Sequence, residues 1–182
     1  MITMMKQKGN PFVTLAILLV LIVSLVSFSS CHGEKKLRTG DKAPDFQLKG
    51  LMGGKYKLSN YKGKLVHVHF WADWCPLCHE EFDKMEIAYK RLKKTYPDFE
   101  FLGINVDQPL VHVEEFIKMH NVTFPILLDV GSKVARSYYL KGIPCNFFVG
   151  RDGRIENILL GWVDEQYLEK TITRMTPGQG EN

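Results

Sequence analysis

Cys75-Pro76-Leu77-Cys78 places two thiols three residues apart, the spacing at which one turn of chain can close a disulfide and open it again. The apolar run Leu65–Trp71 ends just before them. After them, Phe82, Met85, Tyr89, Leu92 and Tyr96 recur at steps of three and four. The run reads as a strand and residues 76–96 as a helix, so the cysteines stand at a strand-to-helix turn. Free N–H groups and the dipole at a helix N-terminus favour a thiolate, which makes Cys75 the exposed attacking thiol. Cys78, one turn in, is the resolving thiol. Pro76 costs little there, because first-turn N–H groups lack helical partners.

Other residues gather around this pair. Glu81 lies three after Cys78 on the face continued by Met85, Ala88 and Leu92, at the edge of the buried stripe. A partly desolvated carboxyl there exchanges a proton with Cys78; the alternative is a solvated first-turn carboxylate like Glu80. His67 and His69 share one face of the preceding strand, and His69 is either a proton relay to Cys78 or a hydrogen-bonded core histidine. Trp71 and Trp74 pack around the dithiol and shape its surface. Cys145 is either a third thiol on the lip of the site or a small buried cysteine at a strand start.

The elements that must position these groups alternate in type. Residues 46–48 and 56–58 form a hairpin around Gly53-Gly54, and Leu65–Trp71 and Phe99–Val106 are strands, the second covered on both faces. Residues 111–120 are helical, 126–128 a short strand and 132–140 a helix. Cys145–Val149 and Ile155–Leu160 flank the turn Arg151-Asp152-Gly153-Arg154, and Asp164 caps a closing helix to about residue 175. The class is α/β with a central mixed sheet flanked by helices. The domain covers residues 43–176, and 177–182 form a disordered tail.

The 182 residues are 45% hydrophobic and 24% charged, which excludes disordered and collagen-like chains. From residue 32 on, 22 basic and 20 acidic residues leave a net of +2, no case for nucleic acid. There is no glycine-rich phosphate loop, so no organic cofactor is implied, and the chain reads as a monomer. Lys6 and Lys8 precede an uncharged run over residues 12–28, which spans roughly 25 Å as a helix against a ~30 Å hydrocarbon core. Residues 1–31 are therefore a signal peptide or membrane anchor. Either way the basic flank stays inside and the rest is exported, joined to the domain by a polar tether, 32–42. Export suits disulfide chemistry.

Phe70-Trp71-Ala72-Asp73-Trp74-Cys75-Pro76-Leu77-Cys78, with Gly40-Asp41-Lys42-Ala43-Pro44-Asp45-Phe46 upstream and Gly142-Ile143-Pro144 downstream, resembles the thioredoxin superfamily. Within it the chain is similar to the membrane-tethered, extracytoplasmic ResA/TlpA-type thiol-disulfide oxidoreductases. Ser29-Ser30-Cys31 likewise resembles a lipoprotein signal, with Cys31 the lipid attachment site; Phe28 departs from its usual Leu, Val or Ile. The resemblance implies a thioredoxin-like fold with a strand–helix insertion between residues 99 and 129, and a cis Pro144 against the dithiol. It implies that Ile143 and Pro144 dock substrate, that Glu81 manages the Cys78 proton, and that His69 stands where thioredoxins carry an acid. The implied activity is reduction of disulfides in exported clients such as apocytochrome c, with electrons from a membrane dithiol donor. Pro76 falls at the first position between the cysteines where the family often has it second, and Cys145 replaces its usual Thr. Pro76-Leu77 thus leaves the redox potential open.

Three rivals share these residues. Cys75 to His79 matches the CxxCH haem-attachment pattern, but His79 falls with Asp83, Glu86 and Lys90 on the polar helix face, as a surface residue would. A copper or zinc protein would need Cys75, Cys78 and Cys145 to converge. A peroxiredoxin-like thiol peroxidase shares the fold and Ala43-Pro44-Asp45-Phe46, yet needs Pro and Thr or Ser ahead of its cysteine, where Trp71 and Ala72 stand.

Overall fold

The computed structural model describes residues 36–176, together with Phe12 and Leu15 of the N-terminal segment. The signal or anchor reading of 1–31, Cys31, most of the first half of the tether and the 177–182 tail lie outside the described residues. Among the described residues no helix is long and apolar enough to cross a membrane. By its contacts the chain divides after Lys35, and the architecture below is that of the unit beginning at Lys36.

Seven strands alternate with four helices: β1 (Gln47–Gly50), β2 (Lys55–Lys57), β3 (Leu65–Trp71), α1 (Pro76–Thr95), β4 (Phe99–Val106), α2 (Leu110–Met119), β5 (Ile126–Asp129), α3 (Lys133–Ser137), β6 (Cys145–Val149), β7 (Ile155–Leu160) and α4 (Glu165–Arg174). They form one sheet in the order β2-β1-β5-β4-β3-β6-β7. The β3–β4 and β4–β5 pairs are parallel, and β1–β2, β1–β5, β3–β6 and β6–β7 are antiparallel, so the sheet is mixed as expected. The strand–helix insertion sits inside the sheet, with β4 between β3 and β5.

Strand alternation divides the core into two layers. Leu65 and Trp71 of β3 face one cluster with Phe82, Met85 and Leu92 of α1, Phe116 of α2 and Leu168 and Ile172 of α4. Val66, Val68 and Phe70 face the other, with Phe46, Val134 and Tyr138. Because β3 is paired on both edges and covered on both faces, all seven of its residues are buried. A polar side chain on it must find its partners inside the protein.

Turn chemistry moved several boundaries. Gly53 and Gly54, with φ of 94° and 78°, make the β1–β2 turn, and a 3-10 turn that periodicity did not reveal, Leu58–Tyr61, follows β2. The helix expected over 132–140 shrinks to α3 because Ser132 (φ 52°) and Tyr139 (φ 52°) take left-handed conformations at its two ends. The Asp129 carboxylate accepts the Val134 and Ala135 amides at 3.0 and 2.8 Å, serving the free N–H groups that a poor N-cap leaves. Asp164 caps α4 as expected, accepting the Tyr167 amide at 2.6 Å.

Gly103 in β4 is where the sheet and the site meet. A Cβ there would lie 2.9 Å from Ile126 Cδ1, 3.1 Å from Phe124 Cε2 and 3.4 Å from Trp71 Nε1. Gly103→Ala is expected to lower stability by about 1–3 kcal/mol through overpacking. The denaturant midpoint reads this directly, and an unchanged midpoint would show that the neighbours yield freely.

Candidate active site

The dithiol stands where the sequence puts it. β3 ends at Trp71, residues 72–74 turn, and Cys75 is the N-cap of α1 (φ −89°, ψ 109°) with Pro76 in the first helical position. Cys75 Sγ accepts the Cys78 amide at 3.3 Å, and both thiols are free. The expected exposure of Cys75 is corrected: only 3% of it is accessible, because its capping role folds the sulfur over the helix start. The exposed side chains here are its neighbours, Trp74 at 69% and Leu77 at 43%. Pro76 is exposed with them, whereas Trp71 is wholly buried, 4.8 Å from the Phe82 ring and 4.5 Å from that of Phe116. Trp71 thus supports the site from below and Trp74 presents a surface.

Cys78 is fully buried, and burial pushes its thiol well above the ordinary range. Hydrogen bonding to Cys75 pushes the same way, a backbone contribution from Ala72 pulls against it, and the nearby Cys75 and Glu81 charges add smaller upward pushes. Glu81 lies deeper than the edge position expected of it, since the segment joining β7 to α4 closes over it. Val163 of that segment donates its amide to Glu81 Oε2 at 3.0 Å. Burial raises the Glu81 carboxyl to about 8, with the Val163 amide pulling weakly down.

Behind Glu81 stands His69, its Nε2 3.4 Å from Glu81 Oε1; neither atom has a hydrogen-bond partner among the described residues. Burial lowers His69 to about 4 and His67 to about 3, the latter helped by the His69 charge, so both rings are neutral at pH 7. With Glu81 mostly protonated there too, the His69–Glu81 contact is between neutral groups and is no ion pair. Both rings bond to Asn146 Oδ1, from His67 Nε2 at 2.8 Å and His69 Nδ1 at 2.9 Å. The sequence reading missed Asn146, although a polar residue in an otherwise apolar strand, on the face opposite Cys145, was a signal. Its position directly across from His69 came only with the β3–β6 register.

Ile143–Pro144 is a cis peptide, as the resemblance implied. Since Cys145 pairs with Phe70, Pro144 lies beside the end of β3 from which the turn to Cys75 departs, and Ile143 packs against both core layers. Cys145 itself is not on the lip of the site. It shares the layer of Phe70 and Phe147, across the sheet from Cys75 and Cys78, and burial pushes its thiol up to about 11. The three thiols therefore do not converge. Among the described residues no group of three or more His, Cys, Asp or Glu side chains is arranged to hold a metal.

His79 is a second correction. It is half-buried, with Nε2 2.6 Å from the Asp73 carbonyl oxygen and Nδ1 3.1 Å from His120 Nε2, while His120 Nδ1 lies 2.9 Å from Asp83 Oδ1. His79 is thereby joined to His120, the residue that ends α2, a contact that the 3.6-residue period of α1 alone does not show. On its other side the Asp73 turn is tied to the loop after β4, where its amide donates to Gln108 Oε1 at 2.8 Å.

Against known proteins, the AhpC/TSA family profile matches residues 39–158. The thiol-disulfide oxidoreductase ResA of Bacillus subtilis is 31% identical over 178 residues, covering 96% of this chain and 98% of that one. The ResA of Geobacillus kaustophilus is 32% identical over 176 residues, 95% and 100% of the two chains. The chain belongs to the ResA-type thiol-disulfide oxidoreductases. These lie within the thioredoxin superfamily and its AhpC/TSA family. The crystal structure of StoA from Bacillus subtilis has the same fold, with a TM-score of 0.63 at 28% identity over 70% of this chain and 96% of that one. In this ResA-type chain the reacting groups are thiols, and its activity is thiol-disulfide oxidoreduction.

Proposed function

We propose that this chain is an extracytoplasmic, membrane-tethered reductase of protein disulfides. Its N-terminal segment holds it at the membrane, through lipid on Cys31 or through the apolar run itself. The Cys75 thiolate attacks a client disulfide, forming a mixed disulfide and releasing one client thiolate, which takes a proton from water. Cys78 gives its proton to the Glu81 carboxylate, and the Cys78 thiolate attacks the Cys75 sulfur. The Cys75–Cys78 bond forms, the second client thiolate leaves, and two electrons have passed to the client. A membrane dithiol donor then reduces the Cys75–Cys78 bond. The Ile143 backbone and Pro144 dock the client chain, Trp74, Pro76 and Leu77 present the apolar contact surface, and His69 faces the proton held on Glu81. Exported clients with paired cysteines, such as apocytochromes c, fit this reading by family resemblance.

The observation that carries the reading is that Cys78 and Glu81, three residues apart on α1, are both fully buried. Cys78 cannot shed a proton to water from that depth, and a carboxyl raised to about 8 is a base matched to neutral pH. Burial of Cys78 also disfavours a stable thiolate, and oxidants of this kind draw their strength from a stabilised reduced form. The test is the Cys75/Cys78 reduction potential of the full chain in detergent micelles, by equilibration with dithiothreitol or glutathione. A thioredoxin-like value near about −270 mV is expected, and one near about −120 mV would overturn the direction.

A further inference from the structure

Asn146 sits where no chemistry was assigned, yet its hydrogen bonds decide which nitrogen of His69 carries hydrogen. Its Nδ2 donates to the Gly161 carbonyl at 2.9 Å and to that of Leu159 at 3.4 Å, and both acceptors lie on the β7 side. That orients the amide, so its oxygen and not its nitrogen faces the two histidines. An amide oxygen only accepts; His67 Nε2 and His69 Nδ1 must therefore be the donors. A neutral imidazole carries a single ring hydrogen. The remaining nitrogens, His67 Nδ1 and His69 Nε2, are bare, and both are buried without a hydrogen-bond donor among the described residues. The bare Nε2 of His69 is the atom that faces Glu81 Oε1 at 3.4 Å.

We propose that Asn146 is a positioning residue of the redox centre: by fixing His69 with a lone pair on Nε2, it turns an acceptor rather than a donor toward Glu81. A carboxylate facing that lone pair is opposed, and a carboxyl whose Oε1–H points at it is favoured. Glu81 thereby gains affinity for the proton that Cys78 must lose. The opposite tautomer would donate Nε2–H to the carboxylate and weaken Glu81 as a base. The groups around Glu81 leave this contact in control. Cys78 lies on its own helix, and His69 and His67 come from β3. The Val163 amide occupies Oε2. Asp164, next along, turns to the Tyr167 amide, and Lys84 of α1 lies over the Trp162 ring at 5.0 Å.

The inference rests on Glu81 serving as the base for Cys78, and its test separates the two. The chain is used at full length in detergent micelles. Ellman's reagent loads Cys75 with thionitrobenzoate, and the second thionitrobenzoate, released as Cys78 attacks, is timed against pH. In Asn146→Leu the His69 tautomer is no longer imposed, and the midpoint of the profile is expected to fall by about one pH unit, a tenfold change in proton affinity. Nitrogen NMR of the unsubstituted chain reads the same point with no variant: His69 should show a protonated Nδ1 and a bare Nε2. An Nε2–H signal, or an Asn146→Leu midpoint equal to that of the unsubstituted chain, would overturn the proposal. If Glu81→Gln keeps the pH step, the role of Glu81 itself fails, which is a different result.

Discussion

Glu81→Gln is expected to make the protein more stable and less active, and to do so in a pH-dependent way. The Glu81 carboxyl is raised from 4.5 in the open chain to about 8 in the fold. The folded state therefore holds a proton that the unfolded state has already lost. The stabilisation associated with that proton is complete below pH 4.5 and is lost as pH rises through about 8. Over the whole window the loss is about 5 kcal/mol, and at pH 7 about 3 kcal/mol. Glutamine has no charge to desolvate, and its oxygen can still accept the Val163 amide. The variant should match the unsubstituted protein near pH 4.5 and exceed it by about 3 kcal/mol at pH 7. Denaturant melts at the two pH values measure this, and equal stability at pH 7 would show that Glu81 ionises without cost.

On the acid side His67 and His69 work in the opposite sense. Their folded values, about 3 and about 4, lie below the ordinary 6.5, so the stability they contribute is present above pH 6.5 and is lost as pH falls through 4 and 3. Both proteins should thus unfold in acid. The activity of the glutamine variant moves the other way from its stability. Without the carboxylate, resolution by Cys78 should slow about 100-fold at pH 8, the scale of one general base, and its pH step near 8 should vanish. A stabilising substitution that disables the step fits a carboxyl kept buried for chemistry rather than for folding.

The second large effect belongs to the thiols. Cys75→Ser should lower disulfide-reductase turnover by at least about 1,000-fold, because a hydroxyl is far less ionised than a thiol and the first covalent step is lost. Cys78→Ser should still react once and then stop, leaving the mixed disulfide on Cys75. With Ellman's reagent, in a Cys31→Ser background, that is one equivalent of thionitrobenzoate instead of two, and mass spectrometry of the intact chain reads the retained adduct. A Cys78→Ser protein that releases two equivalents would show that a thiol other than Cys78 resolves the mixed disulfide. Cys145→Ser is expected to leave turnover unchanged, since that thiol lies in the other core layer.

Much of this molecule is legible in its residue order. The strands Leu65–Trp71, Phe99–Val106 and Cys145–Val149 coincide with largely apolar runs bounded by turn residues, because a strand buried on both faces tolerates little else, and the edge strand Ile155–Leu160 is announced by the turn before it. The Cys75–Cys78 turn and the Asp164 cap are equally local, each set by neighbours within four positions. What residue order did not decide is how deep a side chain lies and what it meets there. Glu81 is sealed by Val163, 82 residues away, and His67 and His69 meet an asparagine 79 and 77 residues away. His79 is joined to His120 across 41 residues. Cys145 stands next in sequence to the Pro144 that borders the site, and strand alternation turns it to the far side of the sheet. Sequence spacing determined which groups share a face. The register of β6 on β3 and the closure of the segment after β7 determined which lost water, and the proton chemistry of Glu81 follows from that loss.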